Sequence, residues 1–249
     1  MKSIFSITSR ANSKVKDFCR RAKEPSERDF LLEGRLFVKD VPPESVKDLL
    51  LTDPEKDREI AGRVLAAGGN VYAVSPPVME KICGTDSVQQ TVAFLEKPEI
   101  KRPNRLILLD RLQDPGNAGT IIRSAVAFGF GVMFGMGSVD PFCQKTVRSS
   151  AGTVCGCYIE RGDLKTEIAR LKKDGFSVFS AEVDRTAKNL PSVSFPETFA
   201  VVIGNESQGV SRGISDLCLE KILIPISDCA ESLNAAVAAS IIMYTGRQG

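Results

Sequence analysis

Histidine and tryptophan are absent from this 249-residue chain. Without an imidazole, the Ser-His-Asp triad, the Cys-His dyad and the histidine-containing zinc sites are excluded. Nothing approaches the run of about 20 apolar residues that a membrane-spanning helix needs. The start MKSIFSITSRANSKVK is basic but lacks the apolar stretch of a secretory signal, so a cytoplasmic protein is expected. The seven cysteines (Cys19, Cys83, Cys143, Cys155, Cys157, Cys218 and Cys229) are odd in number and contain no C-x-x-C pair. That spacing speaks against a disulfide framework or an all-cysteine zinc site and for reduced, mostly buried thiols; no metal is expected. The P-loop pattern is missing, which argues against an NTPase. The glycine-rich stretch 129–137 fails G-x-G-x-x-G, which disfavours a Rossmann-type small-molecule enzyme.

Charge is present but uneven. The net is only +2, yet residues 1–23 hold Lys2, Arg10, Lys14, Lys16, Arg20, Arg21 and Lys23 against the single acid Asp17. Such a lobe fits contact with a phosphate backbone, and fits equally a solvated helix face. EKPEIKRPN (96–104) has two prolines and no apolar pattern, and reads as a linker. It divides a small α/β domain over 1–96 from a second domain over 105–249, with 97–104 between them. In the first domain FLLEG (30–34), DLLLT (48–52), VYAVS (71–75) and TVAFL (91–95) read as strands, and 54–69 as a helix ending in glycines.

In the second domain the strand candidates are continuous apolar runs: RLILLD (105–110), GVMFGM (131–136), FSVFSAEV (176–183), FAVVIG (199–204) and KILIPI (221–226). Continuous runs predict strands covered on both faces, as in a parallel sheet. A helix is predicted over 163–174, capped by Asp163 and stopped by Gly175. The alternation of strand and helix makes this an open, doubly wound α/β domain. Three stretches are richer in Gly, Asn, Asp and Ser than packing requires: 112–129, 204–211 and 227–240. Each follows a strand, and open parallel sheets bind ligands beyond the C-terminal ends of their strands. Position alone therefore predicts one site made of three loops.

Those stretches carry N-x-G-x-x-x-R at Asn117–Gly119–Arg123, G-N-E-x-x-G at Gly204–Gly209, and S-L-N at Ser232–Asn234 preceded by I-P-I. In order and spacing they resemble the three motifs of the SpoU (TrmH-like) RNA ribose 2′-O-methyltransferases, over residues 105–249. SRANSKVKDFCRRAKEPSERDFLLEG near the start resembles the small substrate-binding domain that many of these enzymes carry. The resemblance implies a SPOUT-type α/β fold with a C-terminal trefoil knot. It also implies S-adenosylmethionine bound in the knot, a homodimer, and RNA as substrate, with ribosomal RNA favoured over transfer RNA. A non-catalytic RNA-binding protein that keeps the fold is the rival reading.

By the same resemblance Arg123, Asn117, Glu206 and Asn234 form the catalytic set, and Gly204, Asn205, Ile224, Ile226, Ser232 and Leu233 hold the cofactor. Each has a plainer use. Asn117 is a candidate helix N-cap, and Glu206 could pair with Arg123 or Asn117 or cap its own turn. Ser232 could cap the helix LNAAVAASIIM, while Ile224 and Leu233 could simply be core. Arg123 is always protonated, so a clamp on a neighbouring phosphate suits it better than a role as base. The segment Leu233–Tyr244 is apolar almost all round and demands a second covering surface, which the resemblance assigns to another subunit.

Overall fold

The apolar runs after residue 105 form a parallel sheet. The structure is a computed structural model that describes residues 4–26, 29–84, 89–97, 99–184, 186–227 and 229–247. Lys2 of the basic start, Pro98 of the linker and Asp228 of the third polar stretch lie outside the described residues. In chain order the first elements are β1 (Phe5–Ile7), α1 (Ser13–Lys23), β2 (Phe30–Glu33), α2 (Arg35–Val38), β3 (Val46–Leu51), α3 (Arg58–Ala66), β4 (Asn70–Val74), α4 (Pro76–Cys83) and β5 (Thr91–Leu95). Next come β6 (Arg105–Leu109), α5 (Pro115–Phe128), β7 (Gly131–Gly135), α6 (Gln144–Ser149), β8 (Ile159–Gly162) and α7 (Leu164–Lys173). The chain closes with β9 (Ser177–Ala181), β10 (Lys188–Asn189), β11 (Phe199–Ile203), α8 (Arg212–Ser215), β12 (Glu220–Leu223) and α9 (Ala235–Gly246).

These elements fall into two units: Met1–Glu99 together with Phe142–Cys155, and Ile100–Pro141 together with Gly156–Gly249. Residues 142–155 lie inside the stretch 105–249 expected to form one domain, yet they pack with the first unit. Phe142 is buried with its ring 5.0 Å from that of Phe30. Arg148 pairs with Glu33 at 2.6 Å and also donates to the Cys83 carbonyl. A sequence pattern reports local structure, and nothing local marks which sheet Phe142 will meet.

The first unit is built on a mixed sheet ordered β1-β4-β3-β5-β2. Its core stacks Phe18 on Phe94 and sets Phe18 edge-on to Tyr72. The basic lobe is not one free face. Arg21 is buried, bonding Asp29 through two nitrogens and Asp48 through a third. Arg10 pairs with Glu80 and Arg20 with Asp17. Lys16 and Lys23 remain exposed on α1.

The second unit has a seven-stranded sheet ordered β10-β12-β9-β11-β6-β7-β8, parallel throughout. β6, β7 and β11 are buried along nearly their whole length. Leu164, Ile168 and Leu171 of α7 pack on one face of the sheet with Leu106, Val178 and Val202. Helices α5 and α9 pack against each other, α5 also meeting β7 and α9 meeting β11. Asp163 caps α7 by accepting from Thr166 N–H at 3.0 Å, as expected. The sequence reading did not anticipate β8, whose sequence IERG carries two charges on an edge strand; charged edges discourage further pairing. Among the described residues no helix is long and apolar enough to cross a membrane, and no cluster of potential metal ligands occurs.

A candidate active site built from three loops

β6 and β11 are neighbours in register, Leu109 beside Ile203, so the loops that leave their C-terminal ends start side by side. The first loop ends at Asp114, not Asn117, as the cap of α5. Asp114 Oδ1 accepts from the Asn117 N–H at 2.7 Å, and Pro115 occupies the first turn, where it has no N–H to waste. This corrects the expectation that Asn117 caps the helix, and it releases the Asn117 side chain for other work. Its Nδ2 donates to Glu206 Oε1 at 3.1 Å, and its Oδ1 accepts from Asn234 Nδ2 at 2.9 Å.

The second loop folds on Asn205. Its main chain exchanges hydrogen bonds with Gly209, 3.1 Å one way and 2.9 Å the other. Its Oδ1 accepts from the N–H groups of Ser207 and Gln208, and its Nδ2 donates to the Arg111 carbonyl at 2.9 Å. The turn is so tight that a Cβ on Gly204 would lie 2.1 Å from the Gly209 carbonyl carbon. Only glycine fits there.

Glu206 faces the first loop. Oε1 accepts from the Asp114 N–H at 3.0 Å besides Asn117, and Oε2 accepts from the Gln113 N–H at 3.2 Å. Partial burial pushes its carboxyl up, but the N–H groups of Asp114, Asn117 and Gln113 outweigh burial and hold it below the usual glutamate value. It is therefore an ionised acceptor at neutral pH. Of its two expected partners Glu206 takes Asn117, not Arg123.

The third loop ends in α9, whose cap is Asn234 and not Ser232. Asn234 Oδ1 accepts from Ala236 N–H at 2.9 Å and Val237 N–H at 3.3 Å, while its Nδ2 reaches Asn117. Asn234, Asn117 and Glu206, one from each polar stretch, thus form a directional chain of hydrogen bonds. Arg123 stands apart from it. The residue is exposed on α5, and none of the described residues hydrogen-bonds to it or pairs with it.

Beside this chain lies a cavity of about 590 Å³, within the usual range for small-molecule sites. All six residues expected to hold a cofactor line it: Gly204, Asn205, Ile224, Ile226, Ser232 and Leu233. Asn234 and Glu206 border it as well; Asn117 and Arg123 do not. Among the described residues 224–233, the only main-chain hydrogen bond runs from the Ala230 N–H to the Ser227 carbonyl. Apolar walls with unpaired main-chain donors and acceptors suit a flat heteroaromatic ring edged with nitrogens, such as adenine.

Sequence reasoning missed Asp110, Arg111 and Gln113, which brace the loops. Asp114–Pro115 was legible as a cap followed by a first-turn proline. The left-handed backbone of Arg111 leaves no sequence signal.

Residues 104–244 match the SpoU rRNA Methylase family. Over 248 residues the chain is 33% identical to the 23S rRNA (guanosine(2553)-2′-O)-methyltransferase RlmP of Bacillus subtilis, covering 96% of this chain and 97% of that protein. It is similar to the crystal structure of an AdoMet-bound rRNA methyltransferase from Sinorhizobium meliloti, at 27% identity and TM-score 0.88, covering 98% of each chain. It shares its fold with the SpoU methyltransferase AviRb from Streptomyces viridochromogenes, at 24% identity and TM-score 0.79, over 95% of this chain and 97% of the other. The three motifs, the parallel sheet and these likenesses agree: the chain belongs to the SpoU rRNA methylase family.

Proposed function

We propose that this protein transfers a methyl group from S-adenosylmethionine to the 2′-hydroxyl of a ribose in structured ribosomal RNA, and that it works in the cytoplasm as a homodimer. The observation that carries this reading is the Asn234–Asn117–Glu206 chain beside a cavity of about 590 Å³. A protein that only held RNA would have no use for it.

S-adenosylmethionine supplies an electrophilic methyl on a sulfonium. The apolar side chains of Ile224, Ile226 and Leu233 would enclose its adenine, and their free main-chain groups would read the ring edge. Gly204 and Asn205 keep the opposite wall close. Ser232 and Asn234 would contact the polar part of the molecule. Glu206, with both oxygens occupied by N–H groups, ties its own loop to the first, which Asn117 links to the third, and adds a fixed negative charge near a cationic cofactor. In an in-line displacement the C–S bond breaks as the O–C bond forms, and the hydroxyl proton must leave. Arg123 is always protonated, so it binds an RNA phosphate beside the reacting ribose, and that phosphate or water accepts the proton.

The dimer is supported by α9. Ala235, Ala239, Ile242 and Met243 face inward, whereas Val237 (48% exposed), Ile241 (36%) and Tyr244 (50%) form an outward stripe. Val126 of α5 is exposed too, three residues beyond Arg123. A second copy covering these residues would meet the edge of the RNA site. A trefoil knot fits the way Ile224, Ile226 and 231–234 close with 204–210 around one cavity. The first unit fits a role in holding RNA, through Lys16 and Lys23 of α1.

Mapping 2′-O-methyl positions in RNA from cells with and without the protein tests the reaction; loss of one ribosomal position supports it, loss of a transfer-RNA position redirects it, and no change overturns it. Arg123→Ala is expected to abolish turnover while S-adenosylhomocysteine affinity stays within about tenfold. A mass near the 27.0 kDa of one chain in micromolar sedimentation would sink the dimer.

A further inference from the structure

Arg111 is one of two non-glycine residues among those described with positive φ, at +57°. Arginine gains nothing intrinsically from that conformation, which costs on the order of 1 kcal/mol or more for a residue with a Cβ. Such a cost persists only where surrounding contacts impose it. Here they are dense. The Arg111 carbonyl accepts from Asn205 Nδ2 at 2.9 Å and from Gln113 Nε2 at 3.1 Å. The guanidinium donates through Nη1 to Gln208 Oε1 at 2.7 Å and through Nη2 to the Gly209 carbonyl at 3.4 Å. Its Nε lies 3.2 Å from Oδ1 of the buried Asp110, whose other oxygen accepts from the Ser211 N–H at 2.7 Å.

These bonds run from the end of β6 to both ends of the 205–211 turn. The inner side of that turn, from Gly204 to Val210, is one wall of the cavity; Arg111 does not line the cavity and touches the turn from behind. The left-handed twist aims the carbonyl at Asn205, and the side chain then reaches Gln208 and Gly209. Backbone and side chain act on the same turn.

We propose that Arg111 is a positioning residue that clamps the 205–209 turn against the end of β6 and thereby sets the affinity of the cavity for its ligand. The inference rests on the reading of that cavity as the S-adenosylmethionine site. A plainer role would be to neutralise Asp110, and the two make different demands.

Arg111→Gly separates them. Glycine accepts φ +57° without steric cost, so the variant keeps the backbone path and its carbonyl bonds and loses the guanidinium's bonds to Gln208, Gly209 and Asp110. Calorimetry with S-adenosylhomocysteine, run below the thermal midpoint that the loss of Asp110's partner will lower, is expected to show affinity about tenfold weaker. KM for the cofactor should rise more than kcat falls. Arg111→Lys keeps a charge beside Asp110 but cannot span Gln208 and Gly209 together, so it should weaken binding as well. Full affinity in Arg111→Lys, or in Arg111→Gly combined with Asp110→Asn, would overturn the clamp in favour of charge neutralisation. Amide hydrogen exchange at Ser207, Gln208 and Gly209 gives a readout without ligand, and it should quicken in Arg111→Gly. Unchanged protection there would overturn the proposal. Quickened exchange in a protein whose parent binds no S-adenosylhomocysteine would sustain the clamp and remove the cofactor reading instead.

Discussion

Carboxylates in and around the core of the first unit and the exposed site carboxylate of the second are held differently. In the first, each is set against an arginine: Asp48 and Asp29 against Arg21, Glu33 against Arg148, and Asp57 against Arg35. In the second, the site carboxylate Glu206 is held by neutral N–H groups from Gln113, Asp114 and Asn117. A guanidinium cancels a negative charge, whereas an amide satisfies the oxygen and leaves the charge in place. The first arrangement suits a scaffold. The second suits a site that must present a fixed anion beside a cationic ligand. Asp110, buried at the end of β6 and set against Arg111, follows the scaffold pattern within the second unit, so the contrast separates scaffold from site, and it can be broken by experiment.

The largest effect is expected from removing residues 1–99. Phe142, Val147 and Val154, all buried in the first unit, would lose their neighbours, at about 1.5–3 kcal/mol for each large apolar side chain. Arg148 would lose Glu33. Limited proteolysis of the shortened chain should cut within 142–155, where the intact protein resists. Equal resistance there would mean that this segment does not depend on the first unit.

Arg21→Ala should come next. The Arg21 side chain is 10% exposed and that of Asp48 6%, so the variant leaves a carboxylate buried without its partner. Breaking a buried pair from one side costs about 3–5 kcal/mol. The first unit should melt earlier while S-adenosylhomocysteine affinity, measured below that transition, stays unchanged. A parallel loss of affinity would erase the distinction between the units.

How much of this could be read beforehand depended on range. The continuous runs RLILLD and FAVVIG announced buried parallel strands, because such strands need apolar side chains on both faces. With the strands came the site, since three polar stretches follow their ends. Caps were placed two or three residues off. Asn117 and Ser232 are good capping types, but Asp114 and Asn234 take the role, and which candidate wins depends on where the neighbouring loops want the other side chain. Asn117 is drawn away by Glu206 and Asn234. Contacts across long stretches of chain were illegible: nothing in PFCQKTVRSS foretells Phe30 against Phe142, and nothing at Arg111 foretells its left-handed turn.

The smallest effect concerns pH and tests whether Glu206 works as a charge. Its folded value lies below that of an ordinary glutamate because the N–H groups outweigh burial. A depressed carboxylate contributes stability that is complete above its unfolded value and is lost as pH falls through the folded one. Between pH 8 and 5 Glu206 should therefore add no pH dependence to stability or to S-adenosylhomocysteine binding. As pH falls below the ordinary glutamate range both should decline, and only modestly in stability, because Glu206 is exposed and solvent screens it. Glu206→Gln removes the charge and turns one acceptor oxygen into a donor facing the N–H groups of its partners. That variant should lose turnover more than stability and should show a flatter acid limb than the parent. An acid limb of the same slope in both proteins would assign the decline to other carboxylates and leave Glu206 as a mere tie between loops.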